Sequence, residues 1–384
     1  MKVARFLLAH ALLLALAGAA SAQAPQGPVS MDPGAMMPGP SSYGPNGAEV
    51  LGADCYPAPM AGGPVYGDCY PDNGPGGRLF KRTSRGYVHI DALLLSRNDA
   101  AARTLVTDNA TGLSRMDARD PNFAFETLPR ITAGYVLMND IAIEGTVFYK
   151  DDFDAIADAF LTTPVNTGRL TTGFLNTPNL IAPGTNVASN YIDTDVVQVR
   201  MATGIHSYEI NAVETGRVFN FIAGFRYMEV SDVLTLTAAD RSGILGTSTS
   251  RVGTYNHLMG SQFGVKTGFT KGLATLDTWT KAGFYINDAQ STMLIRDTNG
   301  TTTTRNTHLG GQNEAFVAEF GINLSVRVAP STALRLGYQC MFIDQVALAV
   351  DQIQVAVPAQ SGLSLKAGGD LFLHGPSAGL DFRW

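Results

Sequence analysis

From Gly86 to the C-terminus the chain alternates apolar and polar residues in repeated runs of about ten positions. In the first clear hairpin the odd-numbered positions are apolar: Ile131, Ala133, Tyr135 and Leu137. The alternation resumes after Asn139-Asp140, with Ile141, Ile143 and Val147 on one face. A period of two indicates a strand whose faces meet different surroundings, and the two-residue break predicts a tight turn.

The same unit recurs along the chain and predicts about ten strands. Their approximate ranges are 87–96, 130–137, 141–149, 208–212, 219–227, 259–269, 276–286, 316–326 and 334–342, with a last strand ending at Trp384. An even number of ten-residue strands suits an antiparallel barrel that crosses a bilayer. Two further segments, 191–200 and 293–304, could add strands and give a barrel of twelve or fourteen.

The predicted connections alternate strictly between short and long. The short turns lie at 139–140, 214–216, 271–272 and 330–331; the long polar connections are 97–127, 151–203, 231–256, 288–313 and 344–369. An up-and-down barrel with tight periplasmic turns and long outer loops requires this alternation, whereas a soluble β-sandwich does not. We therefore predict an all-β fold, an up-and-down antiparallel transmembrane β-barrel.

The last strand carries a candidate assembly signal. Leu380, Phe382 and Trp384 share one face, and the chain ends on the aromatic residue. A terminal strand of this kind resembles the signal by which barrel-assembly machinery recognises its clients. That machinery and outer-membrane lipid are the predicted partners; the oligomeric state is left open.

The first 22 residues have the layout of a secretory signal peptide. Lys2 and Arg5 precede the apolar run 6–17, and Ala20-Ser21-Ala22 supplies the small residues of a cleavage site. The apolar run is too short for a stable membrane anchor. We therefore predict export to the outer membrane of a Gram-negative-type bacterium.

Residues 23–85 are rich in Pro, Gly and Ala and predict a disordered periplasmic tail, so that the barrel domain comprises residues 86–384. Asp54-Cys55-Tyr56-Pro57 is echoed by Asp68-Cys69-Tyr70-Pro71. Two cysteines in matching contexts predict a disulfide or intermolecular pairing, rather than a metal site, in an oxidising compartment.

The amino-acid composition argues against nucleic-acid binding and differs from that of typical soluble domains. Without Lys2 and Arg5 the chain has 25 basic and 33 acidic side chains, a net charge of −8. An acidic chain is poorly suited to nucleic acid, whose binding depends on neutralising phosphates. Charged residues make up 16% of the chain, against about 25% in soluble domains.

Charged residues on the polar faces of the strands are the candidate lumen-lining residues. They are Asp91, Arg130, Glu144, Glu209, Arg226, Lys266, Asp277, Lys281, Glu319, Arg327 and Arg335. Each would be costly on a lipid-facing surface, so we expect it to point inward. Acidic and basic residues are nearly balanced, which favours internal pairing over a selective pore, while a conducting lumen stays the alternative.

The sequence gives little support for a catalytic or metal-binding site. No G-x-S-x-G, P-loop, H-E-x-x-H or G-x-G-x-x-G motif occurs, and the histidines show no ligand spacing. His89 and Asp91 predict an interior hydrogen-bonded pair, and the carboxylates of 151–158 predict a solvated loop rather than a cation site. We predict no enzyme, cofactor or metal.

The opening strand Gly86-Tyr87-Val88-His89-Ile90-Asp91-Ala92-Leu93-Leu94-Leu95, the Cys-containing leader and hairpins such as 130–135 suggest a family. Over roughly 86–384 the chain resembles the BBP7-type outer-membrane β-barrel proteins of planctomycete bacteria. The resemblance implies an outer-membrane barrel and says little about activity. The leading hypothesis is thus a structural or porin-like barrel that passes small solutes if its lumen is open. The alternatives are an outer-membrane barrel enzyme acting at the loop rim and a secreted soluble β-rich adhesin.

Overall fold

A computed structural model describes residues 85–108, 111–138, 141–160, 170–172, 194–216, 218–239, 247–297, 302–353 and 364–384. The predicted signal peptide, all but the last residue of the predicted tail, and both Cys55 and Cys69 lie outside these ranges. No α-helix in the described ranges is both long and apolar enough to cross a membrane.

The described chain forms a closed antiparallel barrel of ten strands, which confirms the predicted fold class. Thirteen strands occur in the described ranges: β1 Gly86–Arg97, β2 Thr104–Asp108, β3 Ser114–Asp117, β4 Glu126–Met138, β5 Ile141–Phe160, β6 Leu170–Thr172, β7 Val196–Thr215, β8 Asn220–Ala239, β9 Thr247–Lys271, β10 Ala274–Asp297, β11 Thr302–Ala329, β12 Thr332–Val346 and β13 Gly369–Arg383. Around the barrel they follow the order β1-β13-β12-β11-β10-β9-β8-β7-β5-β4, and β2, β3 and β6 form a separate small sheet.

The first and last barrel strands close the cylinder. Strand β1 pairs with β13 on one side and with β4 on the other. The backbone N–H groups of Gly86 and Trp384 each donate to the other residue's carbonyl, at 3.1 and 3.0 Å. Both ends of the barrel sequence therefore lie at the end that carries the short turns, here called the turn end; the opposite end is the loop end.

The strands are longer than the alternation predicted. β7 begins at Val196, β8 continues to Ala239, and β9 begins at Thr247, so much of the predicted connections 151–203 and 231–256 is strand. Segments 191–200 and 293–304 add no barrel strand, because their described residues mainly extend β7, β10 and β11. Only the connections β1–β4, β5–β7 and β12–β13 are long.

The outer surface of the turn-end half is apolar. Phe284, on β10, keeps 78% of its side chain exposed, although a soluble protein would bury a residue of this kind. Large apolar side chains on every barrel strand share this outward orientation, among them Ile90, Ile131, Ile143, Ile210, Phe221, Phe225, Phe263, Ile286, Leu324, Leu336 and Leu380. The barrel thus carries a continuous belt that needs apolar surroundings.

The polarity of the two faces inverts along the strands. Toward the turn end of β7 the exposed face carries Tyr208 and Ile210, while Glu209 is buried inside. Toward the loop end the exposed face carries Gln198 and Arg200, while valines and Met201 are buried inside. The loop-end part of the barrel is therefore built like a water-soluble protein, with an apolar interior and a polar exterior.

Two inward-facing glycines are covered by aromatic rings. A Cβ atom on Gly321 would lie 2.5 Å from the indole of Trp279, and one on Gly134 would lie 2.0 Å from the ring of Tyr87. Each ring therefore occupies the space that a side chain on the neighbouring strand would need. This close fit of ring and glycine fixes the register of the strand pairs β10–β11 and β1–β4.

Candidate lumenal site

The first ionic cluster of the lumen lies on the wall formed by β7, β8, β10 and β11. Arg226, with 1% of its side chain exposed, contacts Glu209 and lies 2.6 Å from Glu319. Lys281 Nζ lies 2.7 Å from Glu209 and 3.1 Å from Glu319. Gln262 donates a further hydrogen bond of 2.7 Å to Glu209. Two carboxylates and two cations therefore neutralise one another, as buried charges must to avoid a large desolvation cost.

The second ionic cluster lies on β1, β4 and β12. Arg130 donates through Nε and Nη2 to Asp91 Oδ2, at 3.2 and 2.9 Å, and contacts Gln339. Arg335 Nε lies 4.0 Å from the other oxygen of Asp91. The cluster thus contains two cations for one carboxylate.

A cavity of about 60 Å³ lies between the two clusters. Nine of its lining residues come from the predicted lumen-lining set or its neighbours: His89, Asp91, Arg130, Glu144, Glu209, Lys266, Lys281, Glu319 and Arg335. Trp279 also lines it, with Lys281 Nζ 5.1 Å from the ring centroid. The volume is enough for a few water molecules and too small for a large solute.

The remaining predicted lumen residues do not line this cavity. Arg226 lies behind its wall, covered by the carboxylates it pairs with. Asp277 is buried on the inner face of β10, and Arg327 is half-buried on the inner face of β11. The cavity therefore unites eight of the eleven predicted residues.

The predicted His89–Asp91 pair is wrong. His89 Nδ1 lies 3.2 Å from Asp381, its register partner on β13, and Asp91 pairs with Arg130 on β4. Both residues face inward from β1, but cross-strand neighbours lie closer to one another than residues two apart on one strand. Arg383 also pairs with Asp381, at 2.8 Å.

Toward the loop end the lumen is filled by an internal segment that sequence analysis missed. Gln345, the next-to-last residue of β12, has a left-handed φ of 65°, and residues 346–353, which begin with the last residue of β12, lie inside the barrel. We call residues 346–353 the plug. It includes a 3-10 turn, Val350–Gln352, and all of its residues except Asp351 are buried. Its apolar side chains join one large core with inward residues of the surrounding strands.

Asp232, on the inner face of β8, forms the main polar attachment of the plug. Its Oδ2 accepts the backbone N–H of Ala349 at 2.9 Å. Its Oδ1 accepts from Arg97 Nη1 and Thr203 Oγ1, each at 2.7 Å. A buried carboxylate requires such partners. We call Asp232, Arg97, Thr203 and Ala349 the latch.

Three asparagines extend the attachment around the wall. Asn256 receives the N–H of Ala347 at 2.7 Å and donates to its carbonyl at 2.9 Å. Asn287 and Asn313 donate to the carbonyl of Gln345 at 3.3 and 2.7 Å. Polar side chains from adjacent strands thus satisfy the backbone of Gln345 and Ala347 at the start of the plug.

Two groups at the exposed edge of the plug, Asp351 of the plug and the neighbouring Arg103, have shifted pKa values. Burial raises the pKa of the Asp351 carboxyl, against the opposing effect of Arg103. Burial also lowers the pKa of the Arg103 guanidinium, which donates to the carbonyl of Val350 at 2.6 Å. The sequence held one signal for the plug, the apolar run Val346-Ala347-Leu348-Ala349-Val350 within a predicted polar loop.

The acidic stretch 151–158 lies in β5, not in a loop. Asp154 pairs with Arg200 at 2.9 Å, and Asp151 lies 3.0 Å from His206, both on the outer surface. Within the described ranges no three His, Cys, Asp or Glu side chains are grouped to hold a metal ion. Leu380 and Trp384 of the predicted assembly signal are exposed on the outer face of the barrel end, and Phe382 is partly exposed there.

Comparison with solved structures gives distant matches. The outer membrane protease OmpT from Escherichia coli matches with a TM-score of 0.42 and 10% identity, over 80% of this chain and 100% of that chain. The translocator domain of the autotransporter NalP from Neisseria meningitidis matches with 0.35 and 8%, over 78% and 89%. The P. putida toluene transporter TodX matches with 0.31 and 9%, over 81% and 93%. Likeness at this level carries no argument about function.

Comparison with known sequences identifies the family. No curated protein sequence matches the chain. The family described as "Putative beta barrel porin-7 (BBP7)" matches residues 129–368, more than half of the chain. The match does not bear on the planctomycete origin, which stays a prediction. The chain belongs to the BBP7 family.

Proposed function

We propose that this protein is an integral outer-membrane barrel of porin type that is closed in the described conformation. The inversion of polarity along the strands carries this proposal. An apolar outer belt combined with a charged interior suits a barrel surrounded by lipid, where every strand must be paired and charged side chains face the lumen. A secreted soluble protein would leave this belt in water at a large cost.

The interior supports a closed state. The ionic clusters are internally paired, and the plug adds an apolar layer at the loop end. An ion would have to cross that layer without its hydration shell. Passive diffusion of small solutes, the porin-like activity, therefore requires the plug to leave. We assign no catalytic role, because Asp91, Glu209 and Glu319 are engaged in ion pairs and Glu144 accepts a hydrogen bond from Tyr87.

Refolding in detergent followed by electrophoresis tests the membrane proposal. We expect the unboiled protein to migrate faster than the boiled protein and to insert into lipid vesicles. A protein that folds without detergent and migrates identically with and without boiling would contradict an integral barrel. In planar bilayers we expect rare, small conductance steps; a large steady conductance of the unaltered chain would contradict the closed state.

A further inference from the structure

We propose that the plug is an autoinhibitory gate held by the latch at Asp232, and that its release opens the lumen to small hydrophilic solutes. The inference rests on the proposed function, since a gate requires a membrane barrel. It adds a conducting activity that the closed conformation withholds.

The polarity of the wall around the plug is the first support. An interior built for stability alone would be apolar here, as it is at Val197, Val199 and Leu234. The wall instead places the buried polar side chains of Asp232 and Asn256 against the plug backbone. Buried Arg97 and Thr203 bond to Asp232, and Asn287 and Asn313 bond to the carbonyl of Gln345 just before the plug. Buried polar groups weaken a core unless every one is satisfied.

The polar side chains of the wall can be hydrogen-bonded both with the plug in place and without it. In the closed state, the plug backbone supplies a donor to Asp232 and both a donor and an acceptor to Asn256. Without the plug, water can supply the same hydrogen bonds. The carboxylate of Asp232 would keep Arg97 and Thr203 as partners. The wall would then line an aqueous path without leaving a buried charge unpaired.

The plug and the lumenal cavity border the same apolar core. Phe148 and Met341 line the cavity and belong to the same apolar core as the plug residue Val346. The two ionic clusters lie on different strands and leave the cavity between them. Removal of the plug therefore takes away part of an apolar core that borders a space already polar and charge-lined. Small hydrophilic solutes are the class that such a path admits.

The first test removes the acceptor of the latch. Asp232→Ala, refolded as the whole chain, should raise the open probability in planar bilayers by about tenfold to a hundredfold, the range expected for losing one hydrogen bond to a charged group. Asp154→Ala is the matched control, because it removes a carboxylate from the outer face of the same loop-end region. A folded, inserted Asp232→Ala barrel as silent as the control would overturn the gate.

The second test replaces the latch with a reducible bond. Asp232→Cys and Ala349→Cys are combined in a chain whose three native cysteines (Cys55, Cys69 and Cys340) are changed to Ser. The oxidised barrel should be silent and should conduct after reduction, and the single Asp232→Cys variant should conduct in both conditions. Equal conductance of the cross-linked double variant before and after reduction would overturn the gate. Failure to insert at all would instead contradict the membrane barrel.

Discussion

Arg226 illustrates how a charge is kept inside the barrel. Its guanidinium lies between Glu209 on β7 and Glu319 on β11, and Lys281 contacts the same two carboxylates. Buried pairs of this kind contribute little net stability, yet removing one partner leaves an uncompensated buried charge. The pairing was predictable in outline from the near balance of lumenal charges, whereas the choice of partners depends on strand register.

Replacing Arg226 should therefore be more harmful than replacing an exposed arginine. We expect Arg226→Met to lower the free energy of unfolding by about 3–5 kcal/mol, because Lys281 alone then neutralises only one of the buried charges of Glu209 and Glu319. Urea titration of the refolded barrel measures this. Arg200→Met, which removes a solvent-exposed pair with Asp154, should leave the free energy of unfolding nearly unchanged. Equal losses for the two variants would contradict the buried cluster.

The carboxyl of Asp351 predicts a pH dependence of the plug. Burial raises its pKa, and Arg103, Asp232, Lys366 and Asp370 are the charged groups that act on it. A raised pKa in the closed state means that this state binds the proton more tightly than the open state does. Closure is thus favoured at low pH, and the contribution is lost as pH rises through the raised pKa.

Single-channel recordings of Asp232→Ala between pH 7 and about 4 test this dependence. The open probability should fall as the solution is acidified. Adding Asp351→Asn should flatten that response, since the amide does not titrate. An unchanged pH response in the double variant would assign the effect to another group.

Strand β7 shows why the ends of the strands were mispredicted. Alternation persists from Val196 to Thr215, but the apolar residues change faces near Ile205 and His206. A search for one apolar face therefore recognises only the turn-end half, 208–212, and assigns the loop-end half to a connection. The plug was missed for a related reason, because its burial depends on asparagines of distant strands rather than on a local period.

Cysteine labelling along the outer face of β7 tests this inversion. With the native cysteines changed to Ser, we expect Gln198→Cys and Arg200→Cys in vesicle-inserted barrels to react with a charged maleimide. Ile210→Cys should react at least tenfold more slowly, because lipid covers that position. Comparable labelling rates at all three positions would contradict the proposed membrane boundary.

The whole barrel depends on the pairing of β1 with β13. The up-and-down barrel predicted from the alternation of short and long connections brings the first and last strands together, and the register from Tyr87–Arg383 to Arg97–Leu373 confirms it. The number of strands was predictable because each turn-end half carries the full alternating pattern. For the lumen, the sequence predicted only which types of residue line it, and neither their pairing nor the plug.

The C-terminal strand gives a prediction at this scale. We expect removal of Trp384 together with Phe382→Ala to reduce the amount of assembled barrel in cells several-fold, since both residues lie on the outer face that we propose the assembly machinery recognises. Leu94→Ala, an outward change on the neighbouring strand β1, is the control. Membrane fractionation with immunoblotting measures the yield of assembled barrel. An unchanged yield would contradict the predicted role of these residues as an assembly signal.

Heat-modifiability of the chain from Gln23 to Trp384, refolded in detergent, tests the central claim most directly. A compact band that migrates faster without boiling, and that is lost on boiling, is the result predicted for a closed barrel with an apolar belt. Identical migration of both samples, from a protein that stays folded and soluble without detergent, would contradict it.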